Sequence, residues 1–158
     1  VSEFASRAGE KLRKQGSFAS QVYVFAHTSP FRPPPQFSRG VMVPLRRPTA
    51  DSALLVAAAI AGMRRIYEPG YQLAKCGVML LDLVESSLYQ AELDLEPGED
   101  RDQSHLMGTI DQLNRRFGKR TVFVGSAGVP QAHEWAMRQE RRTPQYTTRL
   151  ADVPIARA

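Results

Sequence analysis

Cysteine is almost missing from this sequence: Cys76 is the one thiol in 158 residues, which excludes an internal disulfide framework. Histidine is nearly as scarce, and His27, His105 and His133 share no ligand spacing, so a structural zinc site is not expected. No run approaches the roughly 18 consecutive apolar residues of a membrane span, and the N-terminus lacks the charged-then-apolar layout of a signal peptide. A soluble, cytoplasmic chain without membrane contact is the reading. Catalytic patterns are absent as well. "GSAGVP", Gly125 to Pro130, has glycines where a phosphate-cradling loop has them but lacks the lysine and spacing of a P-loop. Asp82 and Glu85 stand near the end of an apolar run with no partner set, and Cys76 lies within that run, where a thiol acts as a small hydrophobe. A small enzyme built on Cys76 would need a reactive thiol, which this placement does not favour.

What is present is enough apolar material, 42% of the chain, for a real core. The charge is unevenly spread. Overall it is +5, yet Glu85, Glu92, Asp94, Glu96, Glu99, Asp100 and Asp102 fall in one window that holds a single base, Arg101. Outside that window 20 basic residues face 9 acidic ones, about +11, a bias that favours a polyanion such as nucleic acid.

Along the chain, Phe4, Ala8 and Leu12 recur at helical spacing, followed by Lys11, Arg13 and Lys14 and by Gly16 as a stop. Opening on helical sequence without an initiator methionine, the chain reads as a piece of a longer protein. "SQVYVFAHTS" is a strand by its β-branched and aromatic content, and "FRPPPQFS" is a loop, because consecutive prolines cannot donate to a ladder. "RGVMVPLRRP" resumes a strand whose Pro44 and Pro48 suit an edge position or irregular pairing. Asp51 or Ser52 caps a helix from about Ala53 to Tyr67, and "YQLAKCGVMLLDLVE" is a long apolar strand. The order helix, strand, strand, helix, strand predicts an α+β layer, a sheet with two helices on one face. After the acidic stretch, Leu106, Ile110, Leu113 and Phe117 mark an amphipathic helix from near Ser104 to Gly118. "RTVFVG" reads as a short strand, "AGVP" as a turn, and "QAHEWAMRQERR" as a further helix, with Trp135, Met137 and Tyr146 expected to bury in a small satellite core.

Four strings, "FAHTSPFRPPPQFSRGVMVPLRRPTAD", "RRIYEPGYQLAKCGVMLLDL", "LMGTIDQLNRRFGKRTVFVGSAG" and "EWAMRQERRTPQYTTRLADVP", together resemble, in order and over essentially the whole chain, the C-terminal third of UmuC-type proteins. These are the catalytic subunits of error-prone Y-family translesion DNA polymerases, the polymerase V or ImpB/MucB/SamB family. The resemblance implies that residues 1–88 form the DNA-gripping "little finger" of β-α-β-β-α-β topology, lacking its first strand. Residues 89–104 would be an acidic linker with a clamp-binding motif, and 105–158 a UmuC-type α/β C-terminal extension. It also implies that the palm, with its magnesium-binding carboxylates, belongs to the parent polymerase and not to this fragment, so that no cofactor and no polymerase activity are expected of the fragment alone. A processed UmuD dimer and RecA are partners by resemblance.

A lesion-tolerant polymerase should hold primer-template DNA by its phosphates, which position without reading bases. Arg39, Arg46, Arg47 and Lys75 on or beside the strands, with Thr28, Ser29, Ser38 and the Gly40 amide as neutral donors, are the candidate contacts. Arg46 and Arg47 also fit a plainer role as edge charges that block aggregation. Within the acidic linker, "QAELDL" fits the Q-x-x-L-x-[F/L] pattern of peptides that bind the bacterial sliding clamp, its β subunit. Gln90 would enter a polar subsite and Leu93 and Leu95 an apolar pocket; the family often has an aromatic residue where Leu95 stands. Burying each leucine contributes about 1.5–3 kcal/mol, while ordering the segment costs about 1–2 kcal/mol per residue. Weak binding, strengthened when DNA is held at a second site, is the expectation. The rival from another class is a stand-alone interaction module whose basic face takes an acidic protein.

Overall fold

The computed structural model describes residues 1–88 and 103–128, together with the isolated positions 144, 145, 149, 151 and 153. The order of elements is α1 (Ser2–Gln15), β1 (Ser17–Thr28), β2 (Ser38–Thr49), α2 (Ser52–Ile66), β3 (Leu73–Glu85) and α3 (Ser104–Phe117), with three-residue 3-10 turns at Ser86–Leu88 and Gly125–Ala127. This is the expected α+β layer. The strands form one sheet in the order β2-β1-β3, each outer strand antiparallel to β1.

Local chemistry explains the helix bounds. Helix α1 stops where Gly16 takes a left-handed conformation (φ 72°) and its amide returns to the Arg13 and Leu12 carbonyls, which a residue with a Cβ does at a cost. Helix α2 starts where the Asp51 carboxylate accepts from the amides of Ala53 and Leu54, a cap contributing about 1 kcal/mol. Both helices lie on one side of the sheet. Ala5 and Leu12 of α1, and Leu55, Val56, Ala59 and Ile66 of α2, are buried with Val22, Val24 and Ala26 of β1. The helices cross where Gly9 meets Ser52 and Leu55, and α2 comes close to the sheet at Gly62. A Cβ there would stand 3.0 Å from methyls of both Val24 and Val43. Cys76 faces the same side, packed against this core.

Strand β2 tolerates Pro44 and Pro48 because it is an edge, as expected. Its pairing with β1 is regular from Ser38 to Pro44 and then breaks: Gln21 faces Pro44 but Ala19 faces Thr49, so Leu45 to Pro48 bulge out of register. The proline loop closes on itself where the Thr28 amide donates to the Phe37 carbonyl and the Phe37 amide donates back to the Thr28 hydroxyl. Phe37 is buried, its ring 4.8 Å from that of Tyr71.

One expected strand does not form. Over "RTVFVG" the chain makes a turn instead, with Arg120 at φ 68°. The Asn114 side chain supplies what a neighbouring strand would: its carbonyl accepts from the Val122 amide and its amide donates to the Val122 carbonyl, both at 2.8 Å. With both backbone groups of Val122 satisfied by one side chain, no ladder is required. The α/β character expected of the extension is thus, among the described residues, a helix and a turn. The acidic linker, the helix expected at 131–142 and the satellite core around Trp135, Met137 and Tyr146 lie outside the described residues.

Helix α3 packs against α1 through Arg13. Its guanidinium donates to both carboxylate oxygens of Asp111 (2.7 and 2.8 Å), to the Ala50 carbonyl (2.6 Å) and to the Ser52 hydroxyl (2.8 Å). A second ion pair, Arg120 with Glu3 at 3.1 Å, closes the far end of the same junction.

Candidate nucleic-acid interface

The eight residues chosen from the sequence as phosphate contacts part into three groups. On the sheet face opposite the helices, register places Ser38 and Lys75 on either side of His27 and Gly40 beside Phe25. Arg46 and Arg47 lie in the β2 bulge, where they line an open groove of about 1770 Å³ between β2, α1, α2 and α3. The remaining three are engaged locally. Thr28 is buried, donating to Gln36 Oε1 at 2.7 Å. Ser29 accepts from the Phe31 amide at 3.4 Å. Arg39 pairs with Glu68 at 2.7 Å and lies over the Phe37 ring.

The groove assembles charge that no short stretch of sequence shows. Lys14 from α1 and Arg115 and Lys119 from α3 and its C-terminal turn line it with Arg46 and Arg47, although Lys14 and Lys119 are far apart in the chain. Three of its acids are already committed: Asp111 to Arg13, Glu3 to Arg120, and Asp51 to the α2 amides. The fourth acid of the lining is Glu10, set against Arg7, Lys14, Arg46, Arg47, Arg115 and Lys119, so the lining carries a surplus of basic residues. Such a concavity concentrates a polyanion.

The open face has a different character. Along β1 the outward positions are Tyr23, Phe25 and His27, alternating with the inward Val22, Val24 and Ala26. Their rings run nearly parallel, 6.0 Å and 28° between Tyr23 and Phe25, 6.1 Å and 12° between Phe25 and His27. Glycines on the neighbouring strands seat them: a Cβ added at Gly40 would collide with the Tyr23 hydroxyl, and one at Gly77 with the Phe25 ring. Met42 and Met79 flank Tyr23 in register and are 58% and 48% exposed. The alternation was visible in "QVYVFAHT"; that its aromatic half faces away from the helices was not.

Among the described residues no group of three or more His, Cys, Asp or Glu is placed to hold a metal ion, and no helix is long and apolar enough to cross a membrane. The candidate clamp contacts Gln90, Leu93 and Leu95 lie outside the described residues.

Comparison with known proteins gives two family models. Residues 1–93 match the impB/mucB/samB family C-terminal domain, and residues 104–156 match a domain described as of unknown function, DUF4113. Among curated proteins the chain is similar to Protein ImpB of Salmonella typhimurium (36% identical over 158 residues, 99% of this chain and 37% of that one). Protein UmuC of Salmonella typhimurium strain LT2 is 34% identical over 154 residues, covering 97% of this chain and 36% of that protein. Protein MucB of Escherichia coli is 35% identical over 159 residues, again 99% and 36%. The chain therefore spans little more than a third of the length of these relatives.

Proposed function

The chain belongs to the impB/mucB/samB family, and from that membership we propose that it is the noncatalytic, DNA-holding C-terminal part of an error-prone translesion DNA polymerase of the SOS damage response. Residues 1–88 act as the little finger, 89–104 as a tether to the sliding clamp, and 105–158 as the extension. The observation that supports the DNA reading is the basic groove, in which Arg46 and Arg47 join Lys14, Arg115 and Lys119 while three of its four acids are engaged in internal contacts. Phosphate oxygens are the ligands such a surface takes without regard to sequence, which is what a polymerase copying damaged template requires. Lys75 and Ser38 extend the grip onto the open face; Thr28, buried and bonded, is left out of it. The processed UmuD dimer and RecA are proposed partners of the whole polymerase.

Binding to a primer-template duplex, measured as a function of salt, tests this. Each phosphate contact contributes a log-log slope of about −0.9, so Arg46→Ala and Arg47→Ala should each lower the slope by about one unit with little change in sequence preference. Association that is salt-independent, or slopes equal to the parent's in both variants, would reject the grip. It would favour an acidic protein as the partner of the groove.

The tether is tested separately. A chain carrying Gln90→Ala, Leu93→Ala and Leu95→Ala together should lose most of its binding to the β clamp while keeping its DNA affinity. Clamp binding undiminished in that triple variant would remove the assignment.

A further inference from the structure

The chain leaves the basic groove and comes back to it. Ser86, just past the end of β3, and Gln103, just before α3, both line the groove, and the Ser86 amide is held at 3.0 Å by the Gly16 carbonyl. Between these two points the sequence carries Glu92, Asp94, Glu96, Glu99, Asp100 and Asp102 against the single base Arg101. Residues 89–102 lie outside the described residues, but both tether points lie within them. A segment of this length, fixed at both ends, reaches at most about 30 Å from the rim, since each residue spans no more than about 3.6 Å. Six carboxylates are thereby confined beside one surface, at an effective concentration in the millimolar range. That surface has the opposite sign. With the pairs Arg13–Asp111 and Arg120–Glu3 and the Asp51 cap set aside, Arg7, Lys14, Arg115 and Lys119 face Glu10, a surplus that does not count Arg46 or Arg47. The groove also has an apolar strip, Leu54, Ala57 and Ala61 along α2, all exposed, which suits a segment that alternates acids with Leu93 and Leu95. Because β3 and α3 already bring the two ends together, docking costs no further loop closure.

We propose that the groove takes the chain's own acidic segment, residues 92–102, whose carboxylates lie against Lys14, Arg115 and Lys119. One consequence rests on the DNA-holding reading above: a phosphate strand and this segment compete for the same cations, so the tether lowers the affinity of the groove for DNA until it is displaced.

Zero-length carbodiimide coupling of the parent chain tests the contact, because it joins a carboxylate to a lysine amine as an amide, the reagent taking up the water, only where the two groups touch. The sequence has four lysines, of which Lys14 and Lys119 line the groove. Lys11 of α1 and Lys75, in register with His27 on the open sheet face, serve as internal controls. Coupling of Glu96, Glu99, Asp100 or Asp102 to the groove lysines, read by mass spectrometry, should exceed coupling to Lys75 by at least about tenfold at micromolar protein. It should be unchanged by dilution and fall away at about 1 M salt, where the screening length is about 3 Å. No excess over Lys75 would overturn the proposal and leave the phosphate grip to be judged by its own salt slopes. Coupling found mainly between isotopically light and heavy copies would assign the groove to a second chain and overturn it as well. Added primer-template duplex separates the two readings: loss of the groove cross-links supports both, whereas cross-links undiminished at saturating duplex keep the occupant and reject the groove as the grip. A chain carrying Glu96→Gln, Glu99→Gln, Asp100→Asn and Asp102→Asn, with "QAELDL" intact, should bind duplex about tenfold more tightly at low salt, and that gain should shrink when Arg115→Gln and Lys119→Gln are added. An equal gain in both backgrounds would show charge acting from a distance and overturn the contact.

Discussion

Replacing Arg13 by alanine is expected to destabilise the chain by about 2–4 kcal/mol, because one side chain joins three elements. Its four hydrogen bonds reach Asp111 of α3, the Ala50 carbonyl at the β2–α2 junction and Ser52 at the start of α2. The pair with Asp111 is mostly withdrawn from water, with side-chain exposures of 14% and 21%. Removing one partner of such a pair leaves the other charge and two further acceptors unsatisfied, which costs more than the pair contributes net. For a domain of this size the melting temperature should fall by roughly 2–4 °C per kcal/mol. Arg13→Lys should not restore it, since a point-like ammonium cannot serve both carboxylate oxygens and two more acceptors at once. Asp111→Ala should cost less, for Arg13 keeps Ala50 and Ser52. A double-mutant cycle between the two positions should return a coupling of about 1–3 kcal/mol. Thermal unfolding of Arg13→Ala within about 0.5 kcal/mol of the parent would show that α3 is not anchored this way. The outcome bears on function, because Arg115 and Lys119 reach the basic groove only while α3 is docked.

Leu55→Ala is expected to cost a further large amount, about 3 kcal/mol within the usual 2–5 range for such deletions. Leu55 is fully buried at the crossing of the helices, with a methyl 3.1 Å from where a Gly9 Cβ would stand. Glycine at that crossing lets the helices approach closely, and the adjacent backbone is poorly able to relax into the void. Its sequence neighbour gives the control. Leu54 is 44% exposed, and Leu54→Ala should change stability by less than about 1 kcal/mol. Urea denaturation of the two variants makes the comparison, and similar midpoints for both would contradict the packing described.

The contrast between Leu54 and Leu55 shows how far pattern reading reaches. Helix spacing marked α2 as amphipathic, and Asp51 with Gly16 and the prolines bounded the elements to within a few residues. Pattern alone did not tell which strand lies in the middle. The run "AKCGVMLLDL" reads as the most convincing strand in the sequence, yet in the described sheet β3 is an edge, and the mixed β1 is the central strand, bonded on both sides. The candidate site was legible only in part. Arg46 and Arg47 were picked out by composition, but the bulge that turns them into a groove depends on a register break in which four residues of β2, Leu45 to Pro48, stand against one of β1. Thr28 has the chemistry of a phosphate donor and was placed among them; burial and Phe37 gave it another task. Arg120 to Gly125 has the composition of a strand, and Asn114, eight residues before Val122, took the place of the partner it would have needed.

By itself the chain of residues determined the three helices and three strands from α1 to α3, their caps, the uneven charge and the family, though not the turn at "RTVFVG", because these depend on neighbours one to four positions apart or on ordered strings of residues. The tertiary structure alone decided the neighbours in the sheet, the outward facing of the aromatic row, the four bonds of Arg13 and the meeting of Lys14 with Lys119. Those outcomes are set by contacts between residues tens of positions apart, whose free energy depends on burial and register that no local spacing encodes.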